Sequence, residues 1–498
     1  MEKVIVIWWW IWGLSSAIYL ARAWYDVSLY EKNDHVWGRA SLFKDQWYTF
    51  DMWPSWYLMP DVFEKFYKDV WENIDEHLTL KKLAPSYRIF FTPDNKIVDV
   101  AADIEKDLAA FEQLEPWVTP HFKEYLRRAT YQYTVAMNKF VYKNYDSILD
   151  FFSLDTAIQW MKLNVFQKMS SYIKKFFKTD EMQKIVSYPL LFLGTSPYDA
   201  LAIYSIMSHV DFNQWVFYPQ WWLYEIIRSF IKIAKKNWVK IHTSSPVMRI
   251  ITSSTGTKKN HVEGIELQSG EIVLSDIVIS NADMWHTETQ LLQPNEQTYP
   301  ESYWEKKTLA PSAYILYLGV DWKLPMLTHH NLIFTKDWHK NFDEIFNKPI
   351  LPTDPSMYIC KPSETDPSVA PAGKENVFVL VPCAPWLTLT EQEEQQYTAK
   401  ILDMISDVCK IPDLKIRIEY SKLFHMKHFA ERYNAYKGTA LGIAHTLMQT
   451  AVLRPNNYSK KVKWLYYTGA FTNPGIGTQM CLISGELTAE RVIKKKNH

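Results

Sequence analysis

Glycine is scarce in this chain. At an average usage near 7%, a chain of this length would carry about 35 glycines. There are 14 among 498 residues, against 22 tryptophans. Many of those tryptophans stand in turn contexts, as in Asn237-Trp238-Val239, Gln46-Trp47-Tyr48 and Ala23-Trp24-Tyr25-Asp26, where a residue that tolerates positive φ is expected. The excess falls in turns and not on periodic apolar faces, so we read these tryptophans as standing at glycine positions. Cysteine is also sparse. Cys360, Cys383, Cys409 and Cys481 are isolated, with no CxxC spacing, which excludes a disulfide framework and points to reduced thiols in a cytoplasmic setting. The histidine pairs His329-His330 and His425 with His428 lack accompanying ligands, so no metal site is expected. Charge of one sign is absent too. Lys plus Arg and Asp plus Glu are balanced at 55 each, which removes the electrostatic case for nucleic acid. The basic run Lys494-Lys495-Lys496 reads as a solvated helix end.

One long uncharged stretch, Val4 to Ala21, raises a signal-anchor reading. Glu2-Lys3 is a poor basic flank, no small-residue cleavage site follows, and Tyr25 to Lys32 continues directly into a strand-like segment. The stretch is therefore read as strand, turn and helix. A hydrophobic content of 47% supports substantial cores, and the length allows two to four domains.

Val4 to Ile7 suits a buried parallel strand, and Leu14, Ile18 and Ala21 share one face of a following helix. Between them lies a turn whose three positions for a GxGxxG nucleotide loop are Trp8, Trp10 and Gly13. The first glycine of such a loop makes the bend, the second admits a pyrophosphate and the third lets helix pack on strand. Only Gly13 is present, so as written this turn is not expected to cradle a pyrophosphate. Val27 to Tyr30 is the second strand. Glu31 follows it close to the spacing of about 20 residues at which a carboxylate receives the ribose hydroxyls.

Further along, Asp61 to Trp71 forms an amphipathic helix behind Pro60, and Ala102 to Lys236 reads mainly helical, including Phe122 to Tyr145 and Phe166 to Phe177. Strands return at Val239 to His242, Pro246 to Ile251, Val262 to Leu267 and Asp276 to Ser280. Others follow at Tyr314 to Val320 and Val377 to Val381, then a helix from Glu391 to Cys409. The last unit is a strand, Trp464 to Tyr467, a loop carrying Gly469, Gly475 and Gly477, and an apolar-faced helix to Ile493. Such a helix start suits an anion or a polar cofactor edge. The fold class is thus α/β, with a Rossmann-like domain built from both chain ends, a helical insertion and a mixed-sheet domain. The expected division is 1–100, 237–295 and 456–498 for the nucleotide domain, 101–236 for the helical region and 296–455 for the substrate sheet.

Six segments occur in order: Glu31-Lys32, Trp37-Gly38-Arg39-Ala40, Phe50-Asp51-Met52-Trp53-Pro54-Ser55-Trp56-Tyr57, Tyr218-Pro219-Gln220-Trp221-Trp222, Ser280-Asn281-Ala282-Asp283 and Asn473-Pro474-Gly475. With them the chain resembles the bacterial phytoene desaturase family over nearly its whole length. Trp56 to Glu64 looks most like the carotenoid desaturases of Bacteroidetes-type bacteria. Glycine at positions 8, 10, 37, 53, 221 and 222 would reproduce the family's motifs.

The resemblance implies an FAD-dependent oxidoreductase that takes a long apolar carotenoid precursor from the membrane, phytoene towards lycopene, working peripherally on the inner face of the cytoplasmic membrane. It assigns Gly13 to the pyrophosphate turn, Glu31 to the ribose, Gly38 and Arg39 to a second flavin motif and Val247 to an adenine-side backbone contact. Gly469, Pro474, Gly475, Gly477 and Met480 fall to the flavin-side loop. Arg39 has its own case, since a guanidinium beside a diphosphate makes charge-assisted bonds. No residue identifies itself as the catalytic base. Desaturation of a hydroxylated carotenoid and polyene isomerisation share the fold and the cofactor. The tryptophans favour another class, a flavin-free isoprenoid- or membrane-binding protein. About a dozen replacements at roughly 1–3 kcal/mol each would exceed a stability of about 5–15 kcal/mol unless most of the sites are exposed, and weak or absent FAD binding is expected.

Overall fold

A computed structural model describes residues 1–496 apart from 8–10, 35–37, 53–54, 147–166 and 254–259. Trp8, Trp9, Trp10, Trp37 and Trp53, on which the expectation about FAD turns, lie outside the described residues.

Five parallel strands form one sheet in the order Leu465–Tyr467, Ile277–Ser280, β1 (Lys3–Ile7), β2 (Asp26–Tyr30) and Lys240–His242. Both chain ends contribute, as the sequence leads one to expect. The β-branched run of β1 is buried on both faces, which is what a central parallel strand requires. Val4 and Val6 join a cluster with helix α1 (Ile11–Arg22) and the C-terminal helix Thr478–Lys496, while Ile5 and Ile7 face strands Val247–Ser253 and Asn260–Leu267. The two terminal helices approach closely: Ser15 Oγ donates to Leu482 O (3.1 Å) and Ser16 Oγ to Gly485 O (3.2 Å). A Cβ on Gly485 would come within 2.6 Å of Ser15.

A seven-stranded sheet carries the other half, in the order Ile418–Phe424, Ser312–Val320, Glu375–Cys383, Met357–Cys360, His330–Phe334, Tyr87–Phe91 and Lys96–Val100. Its pairs are antiparallel except for His330–Phe334 with Tyr87–Phe91. Every residue of Ser312–Val320 and Glu375–Cys383 is buried. One face packs on an aromatic-rich helical layer and the other on helix Glu391–Val408, whose start is fixed by a capping box between Thr390 and Glu393. Residues 87–100 fall within the opening 1–100 segment, yet they pair into this sheet; their partner strand lies far along the chain, and local patterning carries no record of it.

The region 101–236 holds helices Ile104–Leu114, Val118–Ala136, Asp180–Ser187, Ile206–Asn213 and Glu225–Lys236. Two details differ from the helical reading. Strand Phe217–Pro219 interrupts it by pairing with Leu80–Lys82, and the segment to Phe177 is helical only over Met169–Ile173. The chain leaves that helix so that Phe176 and Phe177 both reach Tyr125, with ring centroids at 5.4 and 5.2 Å.

Backbone conformation accounts for the turn tryptophans. Among the described residues, nineteen non-glycine residues have positive φ and ten of them are tryptophan: 24, 47, 71, 117, 215, 221, 222, 238, 386 and 464. Trp24, Trp71 and Trp238 each follow a helix whose end is closed by the paired bonds of a Schellman motif. In the first, Trp24 N–H donates to Ala21 O and Tyr25 N–H to Leu20 O, both at 3.1 Å. Trp71 with Glu72 and Trp238 with Val239 repeat the pattern. That motif places its left-handed residue where glycine normally sits. Gln46 and Trp47, at φ 44° and 72°, join strands Leu42–Asp45 and Tyr48–Asp51 in the two-residue hairpin geometry that ordinarily selects Asn-Gly.

Candidate active site

The end of β1 points towards a small cavity of about 60 Å³ bordered by Glu31, Gly38, Arg39, Asn281, Asp283 and Gly469, among others. Each wall has a sequence origin. Glu31 leaves β2 and is buried, its Oε1 accepting from Asn33 N–H (2.8 Å) and Asn33 Nδ2 (2.7 Å). Gly13 N–H, in the first turn of α1, donates to Asn281 Oδ1 (3.1 Å), and Asn281 Nδ2 donates to Thr468 O (3.1 Å). Arg39 is buried and reaches Thr439 O at 3.4 Å. Burial lowers the guanidinium's pKa, with the nearby Asp283 carboxylate opposing, while burial pushes Asp283 up to about 6 against the pull of Arg39. An Arg and an acid that each lose solvation in the same pocket suit a ligand with both phosphate and hydroxyl groups.

Val247 does not border this cavity. It opens strand Val247–Ser253, pairs with Leu267 and packs in the cluster that includes Ile5 and Tyr30. Its place beside the end of β2 is adjacent to Glu31 in the fold, not in the wall. Apart from Gly469, the predicted residues of the C-terminal loop do not border it either. Gly477 borders a second cavity of about 160 Å³, and Pro474, Gly477 and Met480 border a third of about 510 Å³. Gly475 sits at φ 117°, and a Cβ there would meet the His445 ring at 2.5 Å. Only glycine meets both conditions.

The polar ends thus fit a dinucleotide, with Glu31 and Arg39 on one side and the glycine loop on the other. Trp12 stands between them. Its buried indole borders both the 60 and the 160 Å³ cavities and lies 3.9 Å from where a Gly469 Cβ would be. It narrows the passage that a continuous dinucleotide has to occupy.

The two larger cavities are predominantly apolar and share a neck of Leu58, Phe192, Ile476, Gly477 and Gln479. Outward, the 510 Å³ cavity reaches Leu447, Met448 and Leu453, which are 44%, 67% and 38% exposed. Inward, the 160 Å³ cavity passes Trp12 and Arg39 to a wall formed by helix Trp338–Phe346 and the seven-stranded sheet. An apolar path therefore runs from an exposed apolar mouth, past the glycine loop, to a buried wall.

His445 holds that loop. Ile476 N–H donates to His445 Nε2 (3.2 Å), and burial holds the imidazole's pKa well below its ordinary value. The neutral ring must then carry its proton on Nδ1, which donates to Tyr204 OH (2.8 Å), and Tyr204 OH is also hydrogen-bonded to Thr450 Oγ1 (2.7 Å). Sequence reasoning missed His445 and Tyr204; a histidine shortly before the terminal strand was the only cue. Two motif segments do converge: Leu223 and Tyr224 N–H, just after Trp221-Trp222, donate to the Asp51 carboxylate at 2.9 and 3.2 Å. The expectation that His329-His330 lacks a further ligand needs correcting. Strand pairing sets Cys360 against His330, and ligand atoms of the three lie within 4.8 Å of one another. Each imidazole already has a hydroxyl partner, His329 Nδ1 with Thr365 Oγ1 and His330 Nδ1 with Tyr358 OH, both at 2.7 Å. Burial pushes the Cys360 thiol up to about 12.

Comparison with known proteins agrees with this geometry. A family model described as flavin containing amine oxidoreductase matches residues 13–493. The chain is 44% identical to a carotenoid 3,4-desaturase of Haloarcula japonica, over 99% of this chain and 98% of that one. It is 29% identical to a zeta-carotene-forming phytoene desaturase of Myxococcus xanthus, over 99% and 94%. Among solved structures, putrescine oxidase bound to putrescine superposes with a TM-score of 0.63 at 12% identity, covering 99% of both chains. An oxidoreductase from Methanosarcina mazei gives 0.62 at 15%, covering 99% of this chain and all of that one. These two share the fold.

Proposed function

The chain belongs to the flavin-containing amine oxidoreductase family, and on that premise we propose that it is an FAD-dependent desaturase of an acyclic carotenoid, phytoene towards lycopene in the first instance. The observation that carries this reading is the apolar path past the Gly475–Gly477 loop, which suits a long polyene and no polar substrate. In this reading Glu31 receives the ribose, Gly38 and Arg39 lie along the diphosphate, and Gly13 faces it from the start of α1. Val247 stands on the adenine side, and Gly469, Pro474, Gly475, Gly477 and Met480 lie along the flavin. When bound, FAD supplies the hydride acceptor for removing two hydrogens from adjacent saturated carbons.

This chain's own residues orient and exclude. The neck residues Leu58, Phe192 and Ile476 hold the polyene in line beside Gly477. His445, through Ile476 N–H, keeps that loop in place. The surrounding apolar walls keep water from the reacting carbons. The mouth at Leu447, Met448 and Leu453 supports peripheral contact with a bilayer. Among the described residues no helix is long and apolar enough to cross a membrane.

The 44% identical relative, a carotenoid 3,4-desaturase, favours a second reading, desaturation of a carotenoid at its 3,4-position, and a hydroxylated acyclic carotenoid is the substrate we assign to that reading. Both are tested by supplying FAD and phytoene, or a conjugated acyclic carotenoid, in liposomes and following the absorption maximum of the extracted pigment. A bathochromic shift with either supports desaturation. Flavin-loaded protein that leaves every acyclic carotenoid unchanged would refute it.

A further inference from the structure

Where strands His330–Phe334 and Met357–Cys360 pair, the buried polar groups are nearly all of one kind. His329, His330 and Cys360 are buried, and a ligand atom of each lies within 4.8 Å of the other two. His329 and Cys360 also border a cavity of about 20 Å³, together with Asp51 and Asn376. Nε2 of both imidazoles and Oδ1 of Asn376 have no hydrogen-bond partner among the described residues. The Asn376 amide nitrogen donates to Thr49 O, so its carbonyl oxygen is the end left over. Tyr358 OH lies 2.7 Å from His330 Nδ1 and bonds the Cys360 thiol as well, while Thr365 Oγ1 lies 2.7 Å from His329 Nδ1. A hydroxyl that receives the Nδ1 proton selects the tautomer whose Nε2 carries a lone pair. Asp51 adds a carboxylate, held by the Leu223 and Tyr224 N–H groups. Lone pairs gathered in this way do not satisfy one another. A buried water fits the volume, but it brings only two donors.

We propose that His329, His330 and Cys360 bind a zinc ion, with an oxygen ligand from the side of Asp51 completing a tetrahedron. A thiolate beside imidazoles selects zinc over magnesium or calcium. Zn–N bonds of about 2.0–2.1 Å and a Zn–S bond of about 2.3 Å put the ligand atoms about 3.3–3.6 Å apart. The spread of 4.8 Å therefore has to close by at most about 1.5 Å. The Cys360 proton passes to solvent as the metal–sulfur bond forms. Tyr358 and Thr365 then serve as the outer partners that orient metal-bound imidazoles. Trp56 stacks on His330 at 4.2 Å and borders the inner cavity. The ion is thus structural: it ties two strands together and pins the cavity wall from behind. Nothing in this inference depends on the carotenoid reading.

The test strips the full-length chain with a chelator and titrates it with cobalt(II), which takes the place of zinc and reports its ligands by absorption. About one equivalent is expected to bind, with the intense visible bands of tetrahedral cobalt and a near-ultraviolet sulfur-to-cobalt charge-transfer band. Cys360→Ser should abolish the charge-transfer band, whereas Cys383→Ser, at a buried thiol elsewhere, should keep it. Tyr358→Phe should keep the band and weaken binding by about 10- to 100-fold. Thermal unfolding separates a lost ligand from a lost fold: the stripped Cys360→Ser and unaltered chains should melt together, and zinc should raise the midpoint of the unaltered chain alone. Cobalt bound by the unaltered chain without a charge-transfer band, no cobalt bound at all, or a band that persists in Cys360→Ser overturns the site. If Cys360→Ser fails to fold, Tyr358→Phe decides, and unchanged affinity there overturns it too.

Discussion

Replacing the exposed left-handed tryptophans by glycine should stabilise the chain. Trp24, Trp47, Trp71, Trp117 and Trp238 have φ between 58° and 72° and are 81–91% exposed. Their indoles bury little, apart from Trp71, over which Arg22 lies at 4.5 Å. A left-handed conformation costs a non-glycine residue about 1–2 kcal/mol. Glycine removes that cost but adds about 0.5–1 kcal/mol of unfolded-state entropy. The net gain is about 0.5–1 kcal/mol per site, so the fivefold variant should gain about 2.5–5 kcal/mol, a large part of a typical stability of about 5–15 kcal/mol. Thermal unfolding followed by circular dichroism would register this as a rise of several degrees. The deciding control is alanine at the same five sites, which removes the indoles but keeps a Cβ in the left-handed region. If alanine stabilises as much as glycine, the effect comes from removing exposed indole and the backbone argument is wrong.

Other outcomes follow from the same structure. Flavin absorbance per mole of protein should rise sharply when glycine is restored at positions 8, 9, 10 and 12, and Trp12→Gly alone should give part of the rise by widening the passage beside Gly469; equal flavin in all forms would show that the indoles do not obstruct. In the glycine-restored chain, Arg39→Met should weaken FAD binding by about 1.5–3 kcal/mol, the worth of a charge-assisted bond, and an unchanged titration would remove Arg39 from the diphosphate. Burial pushes Asp211 up to about 7 against an ordinary value of 3.8, so the folded state holds a proton that the unfolded state has released between those values. Stability should therefore be full below about 4 and fall as pH rises to 7, by up to about 1.4 kcal/mol per pH unit. Asp211→Asn keeps an acceptor for the Tyr87 and Tyr188 hydroxyls, at 2.7 and 3.1 Å, and should flatten that part of the profile; parallel profiles would place the titration elsewhere.

The parallel sheet was legible because its central strands, β1 and Ile277–Ser280, are short β-branched runs that are buried on both faces, and the shorter apolar segments of β2 and the last strand are set off by turns. Glu31, expected from its place after the second strand, and Arg39, expected from its Gly-Arg pair, do border one cavity. The seven-stranded sheet was less so. Tyr87–Phe91 and His330–Phe334 pair across more than two hundred residues, and register between distant strands is not written in either segment. The His445 network escaped notice for a related reason, since its meaning comes from Ile476 and Tyr204, brought together only by folding. The tryptophans were legible in turns flanked by Asn, Gln or Asp, whereas Trp386, after Ala384-Pro385, gave no such cue and was identified only by its φ angle.

The joining of the two chain ends bears on how this protein is made. β1 and α1 emerge from the ribosome long before the C-terminal helix, yet Ser15 hydrogen-bonds a carbonyl 467 residues later. At a synthesis rate of about 5–20 residues per second, that partner is missing for roughly 25–90 s. During that interval Val4, Val6 and Ile18, fully buried in the finished molecule, have no C-terminal helix to cover them. The nascent β1–α1 unit must wait as an exposed apolar segment, open to chaperones and to its neighbours. A chain cut short before Thr478 would never be released from that state, so proteolytic quality control should clear C-terminally truncated copies far faster than copies shortened at an internal loop.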